Sequence, residues 1–244
     1  VKNDYQKKID LYGHSKCFVE YVQHMGDDLT IVNAARVSFG KHKTELDKKD
    51  KKLIKYLIDH RHTSTLEHCH VTFRCKVPLF VRSQHHRHRT WSYNEISRRY
   101  TDFNLEFYEP EDFRTQHKSN RQASNVDSIN PEIEIRVGTG EIKGYYKGSA
   151  AQMMKRFHSD ALKLFDAMLA AGVCREQARG VLPQNLLTEY YASANLNNIL
   201  KFIDLRTHDG AQWEIQQLAK GMLEMVNDLY PEAVKAYSER KGHS

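Results

Sequence analysis

Between Val71 and Tyr100 the chain passes from strict alternation to dense polarity, and that change limits every fold it can adopt. Val71, Phe73, Cys75 and Val77 alternate with Thr72, Arg74 and Lys76, a period of two that marks a strand with one buried face. The apolar run VPLFV, Val77 to Val81, follows as an anchor, and Pro78 suits the first turn of a helix over Pro78 to Arg89. On such a helix Gln84 and His88 are four apart and Gln84 and Arg87 three apart, so they share a face. From Gln84 to Tyr100 the residues read QHHRHRTWSYNEISRRY, too polar for an element of a hydrophobic core. Its guanidinium groups offer planar forks for phosphate or carboxylate oxygens. The plain alternative is a solvated basic face.

The remaining chain reads as one domain. Its 244 residues suffice for a substantial core, and two domains would be cramped. The net charge of +6 suits anionic ligands and keeps nucleic acid under consideration. No apolar run approaches the roughly 18 residues of a membrane span, and the charged first residues carry no signal-peptide pattern. Cys17, Cys69, Cys75 and Cys174 are scattered without a C-x-x-C, which points to a reducing, cytoplasmic setting.

An early strand is expected near Cys17 to Val22, and Asp27-Asp28 can cap a helix from Leu29 to Val37. Lys41 to Lys52 reads as a loop and exposed first turn, leading to a helix that ends near His60. Leu105 to Tyr108 resembles a short strand. Residues 109–150 are the least regular, with mobility expected in their first half. A hairpin is expected from Ile133, Ile135 and Val137 through Gly138-Thr139-Gly140 to Ile142 and Tyr145-Tyr146. A helix over Ala151 to Ala171 places Met154, Phe157, Ala161, Leu164, Phe165 and Met168 on one stripe, read as core, with Gly172 as its stop. A short helix from Cys174 to Val181 carries Glu176 and Arg179, paired at i, i+3. Helices are expected after Asn195 to Arg206, from Ala211 to Leu229, and from Pro231 onward.

Arg87-His88-Arg89, Ser92, Asn94-Glu95, Ser97 and Arg99 together resemble the signature of the flavin-dependent thymidylate synthases. Ala34-Ala35-Arg36-Val37-Ser38, His62 to His68, Arg175 to Pro183 and Ala211 to Ile215 are similar to further stretches of that family. The resemblance implies an α/β (α+β) chain with a central twisted sheet flanked by long helices, the thymidylate synthase-complementing protein fold. It implies a single domain over residues 1–244 with an insertion at about 109–150. The implied reaction makes dTMP from dUMP, with methylenetetrahydrofolate as carbon donor and electrons from NADPH through FAD. A homotetramer with shared active sites is implied as well.

Carried over residue by residue, the resemblance gives Arg206 and His62 catalytic roles and puts Ser97 beside them. A serine without a base is a poor nucleophile, so Ser97 is assigned to binding. No cysteine lies in the motif to attack C6, as in the classical, unrelated thymidylate synthases. Flavin contacts fall to Ser38, Ser64, Glu67, Arg87, His88, Arg89, Glu95 and Asn195. The dUMP contacts fall to Gln84, Arg87, Glu95, Ser97, Arg99, Arg179 and Arg206. Three positions depart from the pattern: Asn197, Lys201 and Gly210 stand where the family carries arginine, asparagine and histidine. There is no G-x-G-x-x-G, so FAD is not expected on a Rossmann fold.

Two other readings stay open at this stage. Seven histidines lie between His60 and His88, yet no H-E-x-x-H or completing carboxylate pair accompanies them, so no metal is expected. Trp91, Tyr93 and Tyr100 interleave with arginines as in single-strand binders, which makes a basic nucleic-acid-binding protein without catalysis the alternative. Glu95 inside the motif would repel a phosphate backbone.

Overall fold

The computed structural model describes residues 5–101, 105–121, 123–138 and 144–241. The chain gathers into two compact units. One comprises Val1–Lys76, Ser83–Glu95 and Glu189–Ser244, the other Val77–Arg82 and Ile96–Thr188.

The first unit is built on a five-stranded sheet of β1 (Lys8–Asp10), β2 (Phe18–Met25), β3 (His70–Pro78), β4 (Ser92–Glu95) and β9 (Leu187–Asn195), in the order β1-β2-β3-β9-β4. The β1–β2, β2–β3 and β4–β9 pairs are antiparallel. The expected alternation holds on β3, where Val71, Phe73, Cys75 and Val77 are wholly buried. On β9 the same period sends Tyr190, Ala192 and Ala194 inward.

Helices α1 (Asp28–Arg36), α2 (Lys48–Asp59), α6 (Leu196–Arg206), α7 (Trp213–Leu229) and α8 (Pro231–Lys241) accompany this sheet. Asp27 caps α1, accepting from Thr30 N while the Thr30 hydroxyl reaches back to Asp27 N. Asp47 and Asp50 form the equivalent box on α2. Asp50 is fully buried, an unexpected place for a residue of the lysine-rich run, and Arg36 and Lys43 both pair with it. On α7, Ile215, Leu218, Ala219, Met222, Met225 and Val226 fall on one helical face and are all buried. Each large side chain there contributes about 1.5–3 kcal/mol. Gly221 lets this face approach β2 closely, since a Cβ at that position would stand 2.7 Å from Val19 Cγ1.

The helix expected from Pro78 to Arg89 is shorter. Pro78 closes β3, and α3 (Leu79–His85) ends at His85. Arg87 N and His88 N then donate to the carbonyls of Gln84 and His85 in tight turns. Beyond them the motif becomes β4, whose residues pair with Tyr190 to Ser193. Alternation cannot reveal a strand that is polar on both sides; pairing with β9 makes it one. Nor is the motif wholly outside the core, since His85 is fully buried and Trp91 nearly so.

The second unit holds two hairpins, β5 (Phe113–Gln116) with β6 (Ser124–Ile129) and β7 (Glu132–Val137) with β8 (Gly144–Ser149). The first replaces the expected irregular half of residues 109–150. The second is the expected hairpin; its Thr139, Gly140 and Ile142 lie outside the described residues. Among the described residues, Leu105 to Tyr108 forms a single bridge, Phe107 with Leu186, rather than a strand.

Helix α4 (Ala150–Ala170) starts at Ser149, which accepts from Gln152 N, and α5 (Arg175–Ala178) follows. The α4 stripe does not sit in a core as expected. Phe165 is buried, but Phe157 and Leu164 are 55% and 51% exposed, and the buried face is Ala151, Met153, His158 and Phe165. Periodicity identifies an apolar face, but only tertiary structure shows what covers it. His158 is held from Glu109, Nδ1 to Oε1 at 2.8 Å, with the Phe107 ring stacked on it.

Candidate active site

Helix α6 organises the polar groups of the first unit. Its eleven residues span about 16 Å, and each end meets a different part of the motif residues. At its C-terminus Arg206 Nε donates to His88 Nε2 and Nη2 donates to Gln84 O, both at 3.1 Å. Both partners are neutral acceptors, so the guanidinium is held in place without being neutralised. Burial first, and then the Arg206 charge, lower the pKa of His88 to about 4. Burial and the nearby Arg87 depress that of Arg206, which still leaves it a cation.

Aromatic packing fixes the turn that carries these acceptors. His85 Nδ1 lies 2.9 Å from the Tyr190 hydroxyl, and its ring packs against Trp91, Tyr93 and Phe202. Burial drives the His85 pKa well below the ordinary imidazole value, so this ring is neutral. The Tyr93 hydroxyl donates to the carbonyls of His85 and His88, at 2.8 and 3.2 Å. Phe202, one turn before Arg206 on α6, sets its ring 4.9 Å from that of His88.

A second chain of contacts reaches Gln84 from α7. Gln84 Nε2 donates to Gln212 Oε1 at 2.6 Å, and Gln212 Nε2 donates to Glu214 Oε2 at 2.9 Å. Glu214 is buried in the first turn of α7, where a carboxylate complements the helix dipole.

At the opposite end of α6, Asn195 is the N-cap and its Oδ1 accepts from Asn198 N. Asn197 is buried and donates to Glu67 Oε1 at 3.1 Å. Glu67 belongs to the 3-10 turn Thr63–His68, which also presents Ser64 to solvent, with exposed His62 just before it. The His62 ring meets Tyr56 and His60, which stack on each other at 4.0 Å. Ser38 is exposed in the 3-10 turn Val37–Phe39, between side chains more than two thirds exposed. Arg87 and Arg89 are exposed and, among the described residues, have no carboxylate partner. Glu95 is half-buried at the end of β4.

In the second unit Ser97 starts a turn. Its Oγ accepts from Arg99 N at 3.3 Å and its carbonyl accepts from Tyr100 N and Thr101 N. Glu176 pairs with Arg99 at 3.6 Å, and the expected i, i+3 pair with Arg179 does not form among the described residues. Arg179 is exposed.

A family profile described as thymidylate synthase complementing protein matches residues 20–232. The flavin-dependent thymidylate synthase of Thermus thermophilus is 43% identical over 224 residues, 92% of this chain and 76% of the relative. That of Kosmotoga olearia is 40% identical over 225 residues, 91% of this chain and 90% of the relative. Among solved structures, the UMP/dUMP methylase PolB from Streptomyces cacaoi bound with 5-Br dUMP superposes with a TM-score of 0.76 at 29% identity. It covers 92% of this chain and 96% of its own. The chain belongs to the flavin-dependent thymidylate synthase family.

Its mixed architecture of antiparallel sheet and long helices is the one expected. Of the residues carried over from the signature, the first unit brings Gln84, His88 and Arg206 into direct contact and joins Glu67 to the N-terminal end of α6 through Asn197. Sequence reasoning missed Gln212 and Glu214 as partners of Gln84, and Tyr93 as the clamp on His88. The signal for the first pair was the family-like stretch Ala211 to Ile215; nothing in the sequence points to the second. The departures also gain a setting. Asn197 binds Glu67, Lys201 is exposed, and His208 Nδ1 accepts from Gly210 N.

The neutrality of His88 is testable. Its pKa is depressed, so the unfolded chain binds the proton first, and stability falls as pH drops from the ordinary imidazole value near 6.5 towards 4. In 1H–15N spectra of histidine-labelled protein, the His88 ring is expected to stay neutral to about pH 4. A midpoint near 6.5 would exclude the buried contact with Arg206.

Proposed function

We propose that this chain catalyses the reductive methylation of dUMP to dTMP, with methylenetetrahydrofolate as carbon donor and NADPH as reductant through FAD. The observation that carries the reading is the guanidinium of Arg206, held by a histidine nitrogen and a carbonyl and neutralised by neither. C5 of uracil is a weak nucleophile until negative charge is drawn onto the ring. A fixed cation against the pyrimidine oxygens or N3 stabilises that charge as it develops. An arginine paired with a carboxylate would have lost much of this capacity. Membership of a family whose curated relatives are named flavin-dependent thymidylate synthases supports the same reaction. So does likeness to a methylase bound with 5-Br dUMP, and both favour it over a basic nucleic-acid-binding protein.

The residues present fit a flavin dinucleotide. Arg87 and Arg89 offer exposed cations, without a carboxylate partner among the described residues, for a pyrophosphate, and Ser38 and Ser64 offer exposed hydroxyls. His88, Glu67, Glu95 and Asn195 complete the proposed flavin contacts. Asn195 acts through its backbone or amide nitrogen, because its oxygen caps α6. Bound flavin supplies hydride transfer, which no side chain can perform. Arg99, Arg179 and Ser97 are assigned to the dUMP phosphate, with Gln84, Arg87 and Glu95 as further nucleotide contacts. Among the described residues the partner of Ser97 Oγ is the Arg99 backbone N–H rather than a base, which favours binding over nucleophilic attack. His62 is assigned to the methylene or hydride step.

We further propose that the chain acts as one functional domain, with 109–150 as an insertion, and assembles as a homotetramer. The exposed Phe157 and Leu164 of α4 support self-association.

The test is the visible spectrum of the purified protein with FAD, titrated anaerobically with NADPH in the presence and absence of dUMP. Flavin bleaching whose rate or extent changes with dUMP is the expected result. Failure to bind flavin, or bleaching indifferent to dUMP, would remove the reading.

A further inference from the structure

From the chain Gln84–Gln212–Glu214 we infer that Glu214 and Gln212 are positioning residues that fix the side chain of Gln84 as a hydrogen-bond acceptor towards the nucleotide. The inference rests on the dUMP reading for its ligand, but its geometry stands apart from it. A carboxylate has only acceptor sites, so the amide of Gln212 must turn its nitrogen to Glu214 Oε2. That leaves Gln212 Oε1 facing Gln84, which must answer with Nε2, as it does at 2.6 Å. Each amide is thereby denied its other orientation. Gln84 Oε1 is left pointing away from the chain of contacts, with no protein partner among the described residues, on a half-buried side chain.

The carboxylate that sets this polarity is itself well anchored. Glu214 is buried, and its carbonyl accepts from the Tyr12 hydroxyl at 3.1 Å. The same residue that presents Oε1 gives its backbone carbonyl to Arg206. One residue thus holds the proposed pyrimidine cation and offers a fixed acceptor. An acceptor of fixed sense selects a donor on the ligand, and dUMP has two outside its phosphate: the ring N3–H and the 3′-hydroxyl. A ligand with an acceptor at that point meets two facing lone pairs and is rejected, because an amide locked by a carboxylate cannot flip to accommodate it.

The test uses the full-length protein and reverses the polarity. Gln84→Glu alone sets a carboxylate against Gln212 Oε1, and a fall in thermal midpoint of about 3 °C is expected, the size of a lost net hydrogen bond in a chain of this length. Adding Glu214→Gln frees Gln212 to turn round, donating to residue 84 and accepting from residue 214. The double variant is therefore expected to recover most of that loss. Additive effects of the two substitutions on the midpoint would overturn the relay.

Glu214→Gln alone is expected to weaken dUMP binding about tenfold in calorimetry. It should also abolish the discrimination that the wild-type protein shows against one of two probes, N3-methyl-dUMP or 2′,3′-dideoxyuridine monophosphate. The probe affected identifies the donor. Thermal rescue with unchanged dUMP affinity would overturn the ligand half of the inference. A wild-type protein that binds no dUMP would overturn the parent reading, while the thermal cycle would still report on the relay.

Discussion

Arg206→Ala is expected to lower the turnover of dUMP to dTMP by about a hundred- to a thousandfold, the cost of removing one preorganised group that stabilises developing charge. The loss should fall on kcat more than on KM, because a neutral uracil gains little from the cation before charge builds on the ring. The fold should tolerate the change. Arg206 lies at the last turn of α6, half-buried, and its removal leaves His88 Nε2 and Gln84 O to be solvated by water. Flavin binding should therefore persist, which absorbance of the bound cofactor reads directly. Arg206→Lys keeps the charge but not the planar fork that reaches both acceptors, so an intermediate rate is expected. A kcat for Arg206→Ala within a few-fold of wild type would exclude the catalytic assignment.

Phe202→Ala is expected to have the largest effect on stability. The ring is wholly buried and lies 4.6 Å from the ring of His85, 4.9 Å from that of His88 and 5.5 Å from that of Trp91. Emptying such a position costs about 3–5 kcal/mol, a large part of the 5–15 kcal/mol typical of a folded domain. In a chain this long the thermal midpoint should fall by roughly 10 °C. The cavity would also open one side of His88 to water, and its midpoint should rise from about 4 towards the ordinary imidazole value. Phe202→Leu, which refills much of the space, should move both quantities less. A melting curve combined with the histidine titration reads the two effects together. A drop of only 1–2 °C with His88 unmoved would mean that this aromatic cluster does not support the site.

Strands and helices with a clear period were legible directly. The alternation of Val71 to Val77 gives β3, the apolar face from Ile215 to Val226 gives α7, and Asp27 marks the start of α1 by capping, whereas the caps at Asp47 and Ser149 emerged only in the structure. Less legible were elements whose state depends on a neighbour. Ser92 to Glu95 has no alternation and becomes a strand through β9, while α4 has its stripe but not the cover the stripe seemed to require.

The candidate site divides in the same way. The run from Arg87 to Arg99 announced its chemistry through its residue types, because anionic oxygens call for guanidinium forks and oriented donors wherever they bind. Arg206 was reachable only through the family resemblance, since a single arginine at a helix end is usually a surface charge. By itself, then, the sequence determined the elements with a period and the chemistry of the motif, because side-chain type and spacing are local properties. Tertiary structure alone decided that His85 is buried, that Arg206 meets His88 118 residues away, and that Glu214 sets the sense of Gln84. A hydrogen bond's partner, and therefore its direction, is a property of two places in the chain, and the fold is what brings those places together.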